Sequence, residues 1–187
     1  QSHVAYYILK HCLAIPKLTY FLRTTPLWKY EEDIRSIDNA IKNVTEEIIN
    51  CNLSDDQWKI ATLPTRHGGL GIRRVEDIAL PAFLSSLYST NSLVNSILNR
   101  NQDMKNDADY MDAIEEWNSL NLSTPPILNS QKSWDEVKIF RTIEQLSLTD
   151  QKDKARFLAS LKPESSCWLQ ALPSRSLGTL LENNCFR

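Results

Sequence analysis

The sequence predicts an all-α protein, an irregular bundle or array of about eight to eleven helices with no significant sheet. Three observations predict it. Apolar residues recur at spacings of three and four along most of the chain. Helix-start chemistry precedes several of the periodic segments. Runs of β-branched residues long enough for a buried strand are absent, and strict apolar–polar alternation is rare.

The elements follow in chain order. Residues 3–13 and 17–24 carry closely spaced Tyr, Ile, Leu and Phe, with Pro16 and Pro26 as breaks or first-turn residues. From Glu31 to about Cys51 the residues Ile34, Ile37, Ile41, Val44, Ile48 and Cys51 step 3, 4, 3, 4, 3, which is one apolar stripe on a long helix. Glu31, Glu32 and Asp33 in its first turn complement the exposed N–H groups. Ser54-Asp-Asp-Gln57 reads as a capping box opening a short helix with Trp58, Ile60 and Ala61.

A helical stretch from Val75 to Leu98 contains Pro81, which either kinks it or starts its second part. Residues from Asn99 to about Asp109 read as a polar loop or a loosely held helix start, and Tyr110, Met111, Ile114 and Trp117 restore an apolar face. Thr124-Pro125-Pro126 marks a linker between a region 1–120 and a C-terminal helical subdomain 121–187. Ser133-Trp-Asp-Glu136 reads as a second capping box, before a helix with Val137, Phe140, Ile143 and Leu146 or Leu148 inward. A helix over 150–161 with Ala155, Leu158 and Leu161, a turn at Trp168-Leu169 and an amphipathic end at Leu177 to Leu181 complete the pattern. Trp58, Phe83, Trp117, Trp134, Phe140, Phe157 and Trp168 are the expected core anchors.

Composition narrows the function. With 42% hydrophobic and 24% charged residues the chain reads as a folded soluble protein. No apolar run approaches the ~20 residues of a membrane span, so no membrane partner is expected. The start, Gln1-Ser2-His3, has neither a signal-peptide pattern nor an initiating methionine, which suggests an excised fragment or processed product. An intracellular setting is expected, nucleus and cytoplasm being indistinguishable. Cys12, Cys51, Cys167 and Cys185 are widely spaced, and core thiols are expected.

The net charge of −2 hides blocks. Residues 1–29 hold Lys10, Lys17, Arg23 and Lys29 without an acid, and 57–74 hold Lys59, Arg66, Arg73 and Arg74 without an acid. Two basic patches on a mildly acidic body suit phosphate or an acidic partner. Aromatic and basic interleaving near the start suits a single strand, and equally a piece cut from a larger domain.

Catalytic chemistry finds no foothold. The acids lie at helix starts and on polar faces, and His3, His11 and His67 have no metal-ligand spacing. Gly-x-Ser-x-Gly and Gly-Lys-Ser/Thr are both missing. No cofactor and no metal are therefore expected. What stands out is Leu63-Pro-Thr-Arg-His-Gly-Gly-Leu-Gly-Ile72, which holds three of the four glycines. Gly68, Gly69 and Gly71 serve either a tight interhelical turn or an anion contact through backbone N–H groups. Lys17, Arg23, Lys59, Arg66, His67, Arg73 and Arg74 are the candidate nucleic-acid contacts. Ile34, Ile37, Ile41, Val44 and Ile48 are a candidate helix interface, packed internally or forming a dimer seam.

Leu63-Pro64-x-Arg66-x-Gly68-Gly69-Leu70-Gly71-Ile72-Arg73, followed by Ala79-x-Pro81-Ala82-Phe83-Leu84-Ser85-Ser86, resembles a region downstream of the polymerase core in non-LTR, LINE-like retrotransposon reverse transcriptase proteins. Cys12-x-x-x-Pro16-Lys17-Leu18-x-Tyr20-x-Leu22-Arg23-Thr24 is similar to the same proteins, and so are Asp153 to Ser160 and Pro163 to Gly178. The resemblance implies a thumb and post-thumb region lying near a primer–template duplex. The palm carboxylates of that family have no counterpart here, since Asp55-Asp56 follows Leu53-Ser54 at a helix cap. Two functions are expected on this basis. One is a non-catalytic fragment or domesticated remnant that weakly contacts RNA, DNA or a hybrid. The other is a protein-interaction or self-association module of the same origin, with no nucleic-acid role.

Overall fold

A computed structural model describes residues 1–99 and 107–186. The fold is all-α with about nine helices, and no strand occurs among the described residues. The helices are α1 (Ser2–Ile8), α2 (Ile15–Thr24), α3 (Glu31–Ile49), α4 (Asp55–Thr62), α5 (Val75–Ile97), α6 (Ala108–Ser119), α7 (Gln131–Glu144), α8 (Gln151–Ser160) and α9 (Asn183–Phe186). A π-helical stretch, Leu9–Leu13, follows α1, and 3-10 segments cover Leu27–Lys29, Thr65–His67 and Pro163–Gln170. Most of the loop expected between Asn99 and Asp109 lies outside the described residues; Asp107 caps α6 by accepting the Tyr110 N–H.

Glycine-poor as the chain is, three helices still end in a left-handed residue. Asn50, Asn99 and Asn121 follow α3, α5 and α6 at φ of 54°, 47° and 52°. Asparagine tolerates this region better than other side chains, so it does the work of a C-terminal glycine. Ser54 and Gln57 form the expected capping box on α4. The second box is not formed. α7 begins at Gln131, so Ser133 lies inside it, and the N–H groups of Ser133 and Trp134 reach the Ser130 carbonyl. α5 runs unbroken through the buried Pro81.

The chain divides into two units. The first comprises 1–17, 36–74 and 142–187, the second 18–35 and 75–141. In the second unit the core is Leu80, Phe83, Leu84, Ala113, Trp117 and Trp134. The Trp117 and Trp134 rings meet edge to face at 4.7 Å, and Tyr88 stacks on Trp134 at 5.8 Å. The Trp134 indole N–H donates to the Leu128 carbonyl and the Trp117 N–H to the Ser123 carbonyl. These bonds hold down the segment around Thr124-Pro125-Pro126, where Pro125 is buried. The expected linker and the 120/121 division thus fall inside this unit.

Several expected core positions are displaced by one residue. Phe140 is 54% exposed, and its neighbour Ile139 is buried instead. On α8, Ala155 and Leu158 face outward. Trp168 is partly exposed, while Leu169 beside it is buried. Residues 175–178 form a turn ending at Gly178 (φ 68°) and 179–181 are irregular, so no amphipathic helix forms there. All four cysteines are exposed and none forms a disulfide among the described residues, so the expected thiol burial is absent.

Candidate functional site

The glycine phrase folds into a knot within the first unit. α4 ends at Thr62, Pro64 precedes the one-turn Thr65–His67 helix, and Gly68 closes that turn at φ 81°. The chain then doubles back on α4. The Leu70 N–H donates to the Ala61 carbonyl at 2.9 Å, and the Gly71 N–H to Leu63 at 2.9 Å. Gly69 donates to Pro64 at 3.3 Å and Gly68 to Thr65 at 3.1 Å. The N–H groups of all three glycines are therefore spent on carbonyls of the knot. The turn reading of Gly68, Gly69 and Gly71 matches this geometry, and the anion-contact reading is left without a dedicated donor.

Close approach explains the glycines. A Cβ on Gly69 would sit 2.0 Å from the Leu63 carbonyl oxygen, inside the knot. One on Gly68 would lie 2.3 Å from Ser160 Oγ of α8, and one on Gly71 would lie 2.9 Å from Lys10 Cε. The knot is thus where α8 and the Lys10 side chain pack onto bare backbone.

Lys10 and Tyr6 bind the knot to α1. The Tyr6 hydroxyl donates to the Leu70 carbonyl. Lys10 Nζ donates to the Tyr6 oxygen at 3.2 Å and to the Leu169 carbonyl at 3.3 Å. Burial pushes the Lys10 ammonium down to about 8 and the Tyr6 phenol above its ordinary range. From the far side, Gln170 Nε2 donates to Thr65 Oγ1 at 3.0 Å. The ties of Tyr6 to Leu70, Lys10 to Leu169 and Gln170 to Thr65 were not legible in the sequence, because their partners lie 64 to 159 residues apart.

The expected nucleic-acid contacts are divided between the two units. Arg23 belongs to the second unit, where its guanidinium donates twice to Gln131 Oε1, at 2.7 and 3.2 Å. Lys17, Lys59, Arg66, His67, Arg73 and Arg74 belong to the first unit. Lys59 pairs with Asp56 at 3.5 Å, one turn earlier on α4. Arg73 and Arg74 are half-buried, whereas Lys17 and Arg66 are exposed. Arg66 Nε donates to His67 Nε2 at 3.1 Å, which leaves the His67 proton on Nδ1.

The α3 stripe is also redrawn. Ile34 and Ile41 are buried, but Ile37 and Val44 are 37% and 42% exposed. Asp38 and Thr45 occupy the buried face instead. Thr45 Oγ1 donates back to the Ile41 carbonyl at 2.7 Å, which lets a polar residue be fully buried.

A half-open cleft of about 420 Å³ lies beside the knot within the first unit. Ile60, Leu148 and Phe157 give it apolar surface, while Asp56, Asp153 and Arg156 stand among its lining. Several of its polar groups are already engaged: Ser54 and Gln57 in the capping box, Asp153 with Arg156 at 3.2 Å, and Ser160 Oγ on the Phe157 carbonyl. Among the described residues no cluster of three or more His, Cys, Asp or Glu could hold a metal ion. No helix of the described residues is long and apolar enough to cross a membrane.

The fold is all-helical, and its first unit holds a glycine-rich basic turn. Comparison with family models, with curated proteins and with solved structures finds no match.

Proposed function

We propose that this chain is a non-catalytic helical module of retroelement origin, of thumb or post-thumb type, that touches nucleic acid on the Arg66 side of its glycine turn. The observation that carries the reading is Arg66 itself. It is exposed, and it sits on a one-turn helix whose backbone is clamped by the knot. A guanidinium presented from a rigid support suits a phosphate, because little ordering entropy is lost on contact. The resemblance of Leu63 to Arg73 to retroelement proteins supports the ancestry. Binding is weak in this reading, since the net charge is −2 and Lys59 already has an acidic partner.

Fluorescence anisotropy with single-stranded RNA, single-stranded DNA and an RNA–DNA hybrid at about 50 mM salt tests the reading. Weak binding that falls with salt is expected, with Arg66→Ala lowering the salt slope by about one. No binding to any of the three at low salt overturns it.

One observation favours the second reading, a protein-interaction or self-association module. Leu93, Val94, Ile97 and Leu98 are all exposed on the last turns of α5 and just beyond it. No charged residue lies between Ile78 and Asn99, so nothing there repels an apolar partner. Sedimentation equilibrium separates the readings: a dimer that Leu93→Ser with Ile97→Ser returns to monomer supports self-association, and a monomer at all concentrations removes it.

A further inference from the structure

His3 is 1% exposed, unusually deep for an imidazole near a helix start. Its Nδ1 accepts the Leu181 backbone N–H at 3.1 Å. A backbone N–H can only donate, so Nδ1 must carry its lone pair. The ring stacks on Phe186 with centroids 5.3 Å apart and planes at 20°, and meets Trp168 edge-on at 6.3 Å. The Ser2 N–H donates to Asn183 Oδ1 at 2.9 Å, and the Tyr6 ring lies 5.5 Å from Phe186.

The segment 181–186 has little else to hold it. Its helix α9 has four residues, far below the length at which a helix is stable alone. Glu182 to Cys185 are exposed, and only Leu181 and Phe186 are partly covered. Its described attachments are the groups just named, together with the Trp168–Phe186 ring contact at 6.0 Å.

We propose that His3 is an acid-released latch: neutral, it fastens residues 181–186 to α1, and protonation at Nδ1 lets that segment go. An imidazolium presents N–H where the Leu181 N–H already points, so the bond becomes a donor facing a donor. It would also be a buried charge without a carboxylate partner among the described residues, which is costly.

The surrounding groups favour the neutral ring. On α1, the Tyr6 hydroxyl is committed to Leu70 and Lys10, and Lys10 lies further along the same stretch. Cys167 flanks Trp168 on the 3-10 segment, and Cys185 flanks Phe186 on α9. Glu182, beside Leu181, is the acid on the released segment; it is exposed and held in solvent. Burial accordingly lowers the affinity of His3 for a proton. A free imidazole binds that proton more readily, so acid drives the open form, by up to about tenfold per pH unit below the ordinary imidazole pKa. This inference is independent of nucleic-acid binding.

Hydrogen exchange of the Leu181 amide, corrected for the intrinsic pH dependence of exchange, provides the test. Protection at Leu181 is expected to fall at least tenfold between pH 7 and pH 4.5, while the Leu70 and Gly71 amides of the knot stay protected. His3→Asn, whose Oδ1 can replace Nδ1 as acceptor, should keep Leu181 protected across the range. His3→Phe, which keeps the stack and loses the acceptor, should expose Leu181 equally at every pH. The latch is overturned if Leu181 protection is unchanged while His3 titrates, if His3→Asn shows the same acid loss as the parent, or if the knot amides open together with Leu181.

Discussion

The Tyr6 hydroxyl donates its hydrogen bond to the carbonyl of Leu70, tying the first helix to the middle of the glycine knot. It also accepts from Lys10, so one phenol serves as both donor and acceptor inside the first unit. Tyr6→Phe keeps the ring and its packing but removes this junction. A loss of about 1–2 kcal/mol in urea unfolding is expected, because the Leu70 carbonyl and Lys10 each lose a partner. An unchanged midpoint would show that the junction adds nothing to stability.

The glycines should rank by what surrounds them. Gly69→Ala drives a methyl into the Leu63 carbonyl, backbone that cannot move aside, and should cost more than about 3 kcal/mol or prevent folding. Gly178→Ala meets nothing within 4 Å and bears only the strain of its positive φ, about 1 kcal/mol. Thermal unfolding of the two variants side by side checks the order, and equal losses would refute it.

Lys10 gives the molecule a pH dependence of definite sign. Burial holds its ammonium near 8, against 10.5 for the unfolded chain. Between those values the unfolded chain retains a proton that the folded one has shed. Stability therefore rises with pH above 8, and the burial penalty is fully present below it. The raised Tyr6 phenol acts in the opposite sense only above about 10, where an unfolded tyrosine ionises. Denaturant unfolding between pH 8 and 10 should show a gain of about 1–2 kcal/mol, discounted for the solvent that reaches a half-buried amine. Lys10→Met should flatten that rise.

Two aromatics of the second unit should behave oppositely. Trp117→Ala opens a cavity against Trp134 and should cost about 3–5 kcal/mol. Phe140→Ala, at an exposed position, should stay within about 0.5 kcal/mol. A large loss at Phe140 would mean that its ring is covered in solution.

Local chemistry explains what the sequence revealed. The Ser54–Gln57 box and the acidic start of α3 involve residues a few positions apart, so composition and spacing suffice to predict them. Ile139 and Phe140 differ by one position, about 100° around a helix, and the side facing the core depends on partners that spacing cannot name. Thr45 on the buried face of α3 is similar, since its hydroxyl is satisfied within its own turn and polarity stops predicting exposure. The glycine turn could be seen as a turn, but its tie to Tyr6, Lys10 and Gln170 is long-range and leaves no local trace.

Because His3, Tyr6 and Lys10 are completed by residues 70, 169, 181 and 186, the first unit is discontinuous along the chain. Residues 75–141 of the second unit emerge from the ribosome before the last piece of the first. Folding during synthesis is therefore nested: the later-starting unit can close first, while α1 waits with its aromatic face uncovered for the final segment. A nascent chain stopped after Arg141 should protect the Trp117 and Trp134 indoles from exchange and leave Tyr6 open to solvent.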